Sequence, residues 1–140
     1  MAMNREDFQT LAEMRVEDAR VLLDAGRYAG AYYLCGYAVE CALKACIAKQ
    51  TQMHEFPELD RVRQSYTHRL PQLVRLARLE GDLNRQRQRS SIFDDYWNRL
   101  EDWNEQSRYE HDITEQRARA LVDSVTDPLN GVVTWLRNHW

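Results

Sequence analysis

Glu40 and Lys44 are the two residues whose types and spacing most suggest chemistry. They are the only charged residues between Tyr28 and Ala48, in a run that is otherwise apolar or aromatic. A helix that is apolar almost all round lies inside a bundle or a membrane, and charges near its middle are costly unless they are paired or functional. Because residues four apart share a helix face, two interpretations stay open. One is a partly solvated ion pair at the helix edge, and the other is the floor of a polar site between helices.

Three further polar residues stand at places where a helical bundle needs a reason for them. His68 opens a predicted helix, and Arg108 and Tyr109 end a connection before the last predicted helix. Each also has an ordinary interpretation, His68 as a first-turn residue and Arg108 as a bridge between helix ends. The residues alone leave both interpretations open.

Several kinds of site are excluded by what the sequence lacks. The four histidines show no metal-ligand spacing and there is no Cys-x-x-Cys, so no metal site is predicted. A phosphate-binding glycine loop and a Gly-x-Ser-x-Gly turn are also missing, which argues against common nucleotide hydrolysis and serine-hydrolase chemistry. Cys35, Cys41 and Cys46 lie five or six residues apart on one predicted helix. They are interpreted as reduced thiols of a cytosolic protein.

The charge of the chain is segregated. Between Arg61 and Arg89 there are eight arginines against Glu80 and Asp82, a local balance of +6 in a chain whose net charge is −3. A basic stretch in an acidic protein suggests an anionic partner, either nucleic acid or an acidic protein surface. The alternative is a helix whose arginines are simply solvated.

The first half of the chain predicts two long helices. The first runs from about Arg5 to Ala25, with Asn4 as N-cap and Gly26 just past its end. The second, the apolar one, runs from about residue 29 to 49. Residues 50–66 are polar and contain a proline, so they are predicted to form a loop with at most a short turn.

The second half predicts three more helices. The third follows Thr67 and is stopped by Gly81, and the fourth runs over residues 83–103. The fifth opens with a capping-box-like Asp112 three residues before Glu115, and Pro128 is expected to kink it. No segment alternates with period two. The fold class is therefore all-α, an antiparallel bundle of four to five helices in a single domain over residues 1–140.

The start of the chain is polar and acidic, so no signal peptide is expected. The apolar run is long enough to span a bilayer, but its central Glu40 and Lys44 argue against that. We therefore expect a cytoplasmic protein that does not interact with a membrane.

Three short motifs, taken in order, resemble the HEPN domain. The first is Ala-x-Glu-x-x-x-Lys-Ala, here Ala38 to Ala45, and the second is His-x-Leu-x-x-Leu, which begins at His68. The third is Arg-Tyr-Pro before the last helix, matched by Arg108-Tyr109 with Glu110 in place of proline. The resemblance covers roughly residues 5–137 and implies a HEPN-like helical bundle.

One branch of that family implies catalysis. Its members are metal-independent ribonucleases, some of them toxins of toxin–antitoxin pairs, with an Arg-x(4–6)-His motif that acts on the phosphodiester and its 2′-hydroxyl. They often work as dimers. Here Arg63 and His68 match Arg-x4-His as candidate catalytic residues. The match precedes the third helix, whereas the nuclease motif usually lies by a later one.

The other branch implies binding, and it is the interpretation that we favour. Its members bind nucleotides or act as partners of minimal nucleotidyltransferases, and are not catalytic alone. The resemblance then implies a shared polar groove in which lysine and arginine bind phosphate and Tyr109 stacks on a base, lined by Glu40, Lys44, His68, Arg108 and Tyr109. No cofactor is implied, and a homodimer is expected. The alternatives are the ribonuclease, with RNA as its substrate, and a protein-interaction module that uses the basic surface.

Overall fold

The structure, a computed structural model, describes residues 3–52 and 67–140. These two ranges contain seven α-helices and one 3₁₀ helix, and no strand. The predicted all-α fold class is confirmed. The helices are more numerous than the sequence predicted, those of the second half are shorter, and the differences lie in how each helix ends.

The first two helices form an antiparallel hairpin. Helix α1 (Arg5–Asp24) begins at a capping box in which the Asn4 side chain accepts from Asp7 N and the Asp7 side chain accepts from Asn4 N. Gly26 has a φ of 76°, a left-handed conformation that glycine adopts without a Cβ clash, and it ends the helix as predicted. Helix α2 (Tyr28–Gln52) follows at once.

Helix α2 is the centre of the bundle, and other helices pack around it. Its buried side chains are Ala31, Tyr32, Cys35, Ala38, Val39, Glu40, Cys41, Ala42, Leu43, Ala45, Cys46 and Ile47. Burial raises the pKa of the Cys41 thiol to about 11 and that of Cys46 to about 12. All three cysteines are free, and burial makes thiols unreactive.

The third helix ends earlier than predicted. Helix α3 (Leu70–Leu76) is closed by Arg78, which has a φ of 59°, with hydrogen bonds from Arg78 N to Arg75 O and from Leu79 N to Val74 O. This is a Schellman motif with arginine where glycine is usual. Burial of Leu79 against the helix offsets the left-handed strain of about 1–2 kcal/mol. The prediction that Gly81 stops the helix is wrong, because Gly81 lies inside α4 (Glu80–Arg89).

The predicted fourth helix is divided in two. Ser90 separates α4 from α5 (Ser91–Leu100), and its hydroxyl accepts from Phe93 N at 3.1 Å. A serine that caps in this way has extended backbone angles, so one continuous helix over residues 83–103 was the wrong prediction. A 3₁₀ helix (Glu105–Tyr109) then occupies the predicted connection.

The last predicted helix is also two. Helix α6 (Glu115–Thr126) is capped by Thr114 rather than Asp112, since the Thr114 hydroxyl accepts from Arg117 N. A turn over residues 127–131 separates it from α7 (Val132–Leu136). Pro128 therefore marks a break instead of a kink, and the neighbouring Leu129 is 85% exposed in the turn.

The predicted loop over residues 50–66 is wrong at its start, because residues 50–52 belong to α2. The rest of it, which includes Arg61 and Arg63, lies outside the described residues. Within the described ranges, no helix has the length and apolar character needed to cross a membrane.

Candidate functional site

One face of α2 carries the residues around which the site is built. Tyr33, Tyr37, Glu40 and Lys44 follow one another at intervals of four, three and four residues, so they lie along a single stripe. The Glu40 side chain is only 2% exposed, while that of Lys44 is 16% exposed. The stripe therefore runs from aromatic side chains to a buried carboxylate and then to a partly accessible ammonium.

Glu40 is held by two donors from different parts of the chain. Lys44 Nζ donates to Glu40 Oε2 at 3.3 Å from the next turn of α2. His68 Nδ1 contacts the same oxygen at 2.9 Å, and because an ionised carboxylate only accepts, Nδ1 is the nitrogen that carries the proton. The Glu40 carboxylate is thus buried, the paired Lys44 ammonium is partly accessible, and His68 completes the cluster.

His68 reaches Glu40 because the segment before α3 is fixed by packing. Leu70 and Leu73 of α3 are buried in the core, so they hold residues 67–69 against α2. The outer nitrogen of the ring, Nε2, lies 3.7 Å from Glu105 Oε2, which is too long for a hydrogen bond. With His68 46% exposed and Glu105 41% exposed, this outer side of the cluster is open to solvent.

The 3₁₀ helix brings the second group of residues. It begins at a capping box in which Asn104 accepts from Gln106 N and Ser107 accepts from Asn104 N, and Ser107 is buried. This fixes Glu105 beside His68 and places Arg108 near Tyr33. Burial raises the pKa of Tyr33 above its ordinary value and the Glu40 charge raises it further, whereas Arg108 lowers it.

Tyr109 lies at the outer edge of the site. Its side chain is 66% exposed, and the Arg108 guanidinium lies over its ring, 4.8 Å from the centroid. The structure thus brings Glu40, Lys44 and His68 into direct contact. Arg108 is connected to them through Tyr33, and Tyr109 through its stacking on Arg108.

Sequence reasoning missed the aromatic part of the site. Tyr33 stacks on Tyr37 with ring centroids 6.2 Å apart and on Trp103 at 5.9 Å. Trp103 Nε1 donates to the Tyr33 carbonyl at 3.2 Å, and the ring lies so close to Gly36 that a Cβ there would overlap it. The spacing of Tyr33 and Tyr37 relative to Glu40 places all three residues on one helix face, so the sequence could have predicted that the two tyrosines belong to the site. Glu105 was also missed, and its position offered no such signal.

The remaining candidate residues fall into two groups. Arg63 lies outside the described residues, so its relation to His68 stays a prediction. Within the basic stretch, Arg87 is committed to Asp94 and Asn98 and lies 3.5 Å from Glu101, and Arg85 pairs with Asp82. The other arginines of the described part of this stretch are exposed: Arg69, Arg75, Arg78 and Arg89.

The chemistry that this arrangement supports is recognition of an anion at its open side. Lys44 neutralises Glu40, and the Arg108 guanidinium remains toward solvent as a donor. His68 Nε2 also faces solvent, where it accepts a hydrogen bond in the neutral ring and donates one in the imidazolium form. Glu110, which replaces the family proline, bonds Arg117 Nη1 at 3.0 Å, so its charge is partly compensated. In the described ranges, no group of three or more His, Cys, Asp or Glu side chains could hold a metal ion.

The comparison with protein families identifies the family to which the chain belongs. The model of the HEPN domain matches residues 6–132, which is most of the sequence. The chain belongs to the HEPN domain family. The match includes all the candidate residues described above, from Tyr33 to Tyr109. No curated protein and no solved structure matches this HEPN domain.

We expect Lys44→Met to destabilise the HEPN domain by about 3 kcal/mol, the low end of the range for breaking a buried ion pair, because His68 still donates to Glu40. Urea unfolding measures this loss. Adding Glu40→Gln should restore part of the stability, since the buried charge is then removed. Lys49→Met, on the same helix, is the control and should change the free energy of unfolding by less than about 0.5 kcal/mol. Equal, small effects of both lysine variants would show that the pair is not buried in solution.

Proposed function

We propose that this HEPN domain binds a nucleotide through its phosphates at the cluster of Glu40, Lys44, His68 and Arg108, and that it is not catalytic alone. The observation that carries the proposal is the sharing of Glu40 Oε2 by Lys44 and His68. It fixes the imidazole with Nε2 facing outward, on the same side as the 3₁₀ helix that bears Arg108. Fixed donors lose little freedom when they bind an anion.

The roles within the cluster differ. Lys44 supplies positive charge from the α2 side of the cluster, but its ammonium is paired with Glu40. It therefore attracts the phosphates at longer range more than it contacts them directly. Arg108 and, in the imidazolium form of the ring, His68 Nε2 are the direct donors, and a phosphate oxygen replaces Glu105 as the neighbour of Nε2. Tyr109, already stacked on Arg108, gives the outer edge an aromatic surface.

The biological role that we propose comes from the family resemblance. The binding branch of the family includes partners of minimal nucleotidyltransferases, and such a partner would present the nucleotide site to the transferase. The Arg63–His68 spacing precedes α3, unlike the nuclease motif beside a later helix, which favours the binding branch. A homodimer and a cytoplasmic location are further expectations of this proposal.

We expect ATP at one hundred times its dissociation constant to raise the free energy of unfolding by about 2.7 kcal/mol, because it binds only the folded state. Thermal unfolding with increasing ATP measures the shift. Arg108→Gln should abolish most of it. Arg119→Gln, which removes an exposed arginine beside Glu115 on α6, should leave it unchanged. No shift at millimolar ATP, or an equal loss in both variants, contradicts the proposal.

A second candidate is a metal-independent endoribonuclease, and one observation favours it. A carboxylate that holds one imidazole nitrogen orients the ring and leaves the other nitrogen to transfer a proton, as in hydrolase triads. The Glu40–His68 contact at 2.9 Å has this form, with Nε2 facing outward. In this function His68 and Arg63 act on the RNA phosphodiester, and two copies contribute to one cleft.

If the ribonuclease candidate is correct, we expect the purified protein to cleave single-stranded RNA in the presence of EDTA. Gel analysis of labelled RNA measures the cleavage. His68→Ala should reduce the rate at least about a hundredfold, the lower bound for a lost general acid or base. His111→Ala removes an exposed histidine outside the cluster and should have no effect. Cleavage that survives His68→Ala rules this candidate out.

A further inference from the structure

A cleft of about 440 Å³ lies between α3, α4 and α5. Its volume falls in the range of small-molecule sites, which are typically about 300–1,000 Å³ and mostly apolar with a few polar groups. The walls include the side chains of Leu70, Trp97 and Trp103, all nearly buried. Nothing in the function proposed so far uses this cleft.

The cleft adjoins the phosphate cluster at two points along the chain. Leu70 follows His68 by two residues, and Trp103 precedes Glu105 by two. Trp103 also stacks on Tyr33, with ring centroids 5.9 Å apart, so one indole ring contributes to both places. A ligand with its anionic end at His68 therefore has an aromatic-walled space within reach.

The rim of the cleft carries carboxylates, so it disfavours the anionic groups that the phosphate cluster would bind. Glu80, Asn84 and Glu101 line it, and all three side chains are exposed. Among the described residues that line the cleft, the one cation is Arg87, and it is committed to Asp94 and Asn98 and lies 3.5 Å from Glu101. Carboxylates repel phosphate but accept hydrogen bonds from N–H groups, so this end suits a neutral group that carries N–H donors.

We propose that the cleft binds the base of the nucleotide whose phosphates occupy the cluster, and that it selects bases with an exocyclic amino group. The inference rests on the proposed function. The base lies against the tryptophan side of the cleft, and its amino group donates to the carboxylate or amide oxygens of the rim. Uracil offers these carboxylates only the N3–H donor, which stands between two carbonyl oxygens that meet the carboxylates with like polarity, so it should bind less tightly than an amino-bearing base.

Calorimetric titration of the full chain with ATP, GTP, CTP, UTP and inorganic triphosphate tests this. We expect at least one amino-bearing nucleotide to bind at least tenfold more tightly than UTP and inorganic triphosphate. Asn84→Trp fills the cleft from its exposed rim. It should weaken binding of that nucleotide at least tenfold and leave the affinity for inorganic triphosphate unchanged.

Gln88→Trp is the matched control, because residue 88 is exposed one turn further along α4 and does not line the cleft. It should change neither affinity. UTP binding as tightly as the best amino-bearing nucleotide overturns the selection. Equal affinity for nucleotides and inorganic triphosphate, or no effect of Asn84→Trp, would show that the base does not bind in the cleft. Either result leaves the proposed function standing. Failure of every nucleotide and of triphosphate to bind overturns both.

Discussion

Glu40 places a carboxylate inside a helical bundle, where an unpaired charge would lose several kcal/mol of solvation. The structure satisfies it with an ammonium one turn away and an imidazole from another segment, both within 3.3 Å of one oxygen. A buried carboxylate without these donors would strongly destabilise the fold, so the contact with Glu40 holds the His68 ring in place. The same requirement leaves the other imidazole nitrogen facing solvent, which is the starting point of any function at this site.

The aromatic residues make the second constraint. Trp103 packs against the backbone of Gly36, stacks on Tyr33 and donates to the Tyr33 carbonyl. It thereby fixes the chain that leads into the 3₁₀ helix. Since Glu105 and Arg108 follow within five residues, their positions depend on how this one indole is packed. A single ring thus connects the buried bundle, the polar cluster and the cleft between α3, α4 and α5.

The fold class and the pairing of Glu40 with Lys44 could be predicted because both follow from local spacing. The capping residues Asn4 and Gly26 are also local signals, and the structure confirms them. The helix ends at Arg78 and Ser90 could not be predicted as easily. Arginine in a left-handed conformation depends on burial of Leu79, and serine is common both within helices and at their caps. Glu105 and Trp103 join the site through tertiary packing, which the sequence pattern does not reveal.

The most direct test of the account is the tautomer of His68, observed by long-range ¹H–¹⁵N NMR at alkaline pH, where free imidazole is neutral. We predict that the proton resides on Nδ1, because that nitrogen donates to Glu40, and that Glu40→Leu releases the ring to the Nε2–H form common in solution. A neutral ring with its proton on Nε2 instead of Nδ1 in the unmodified protein would contradict this, since Nδ1 would then have no proton to donate to the buried carboxylate.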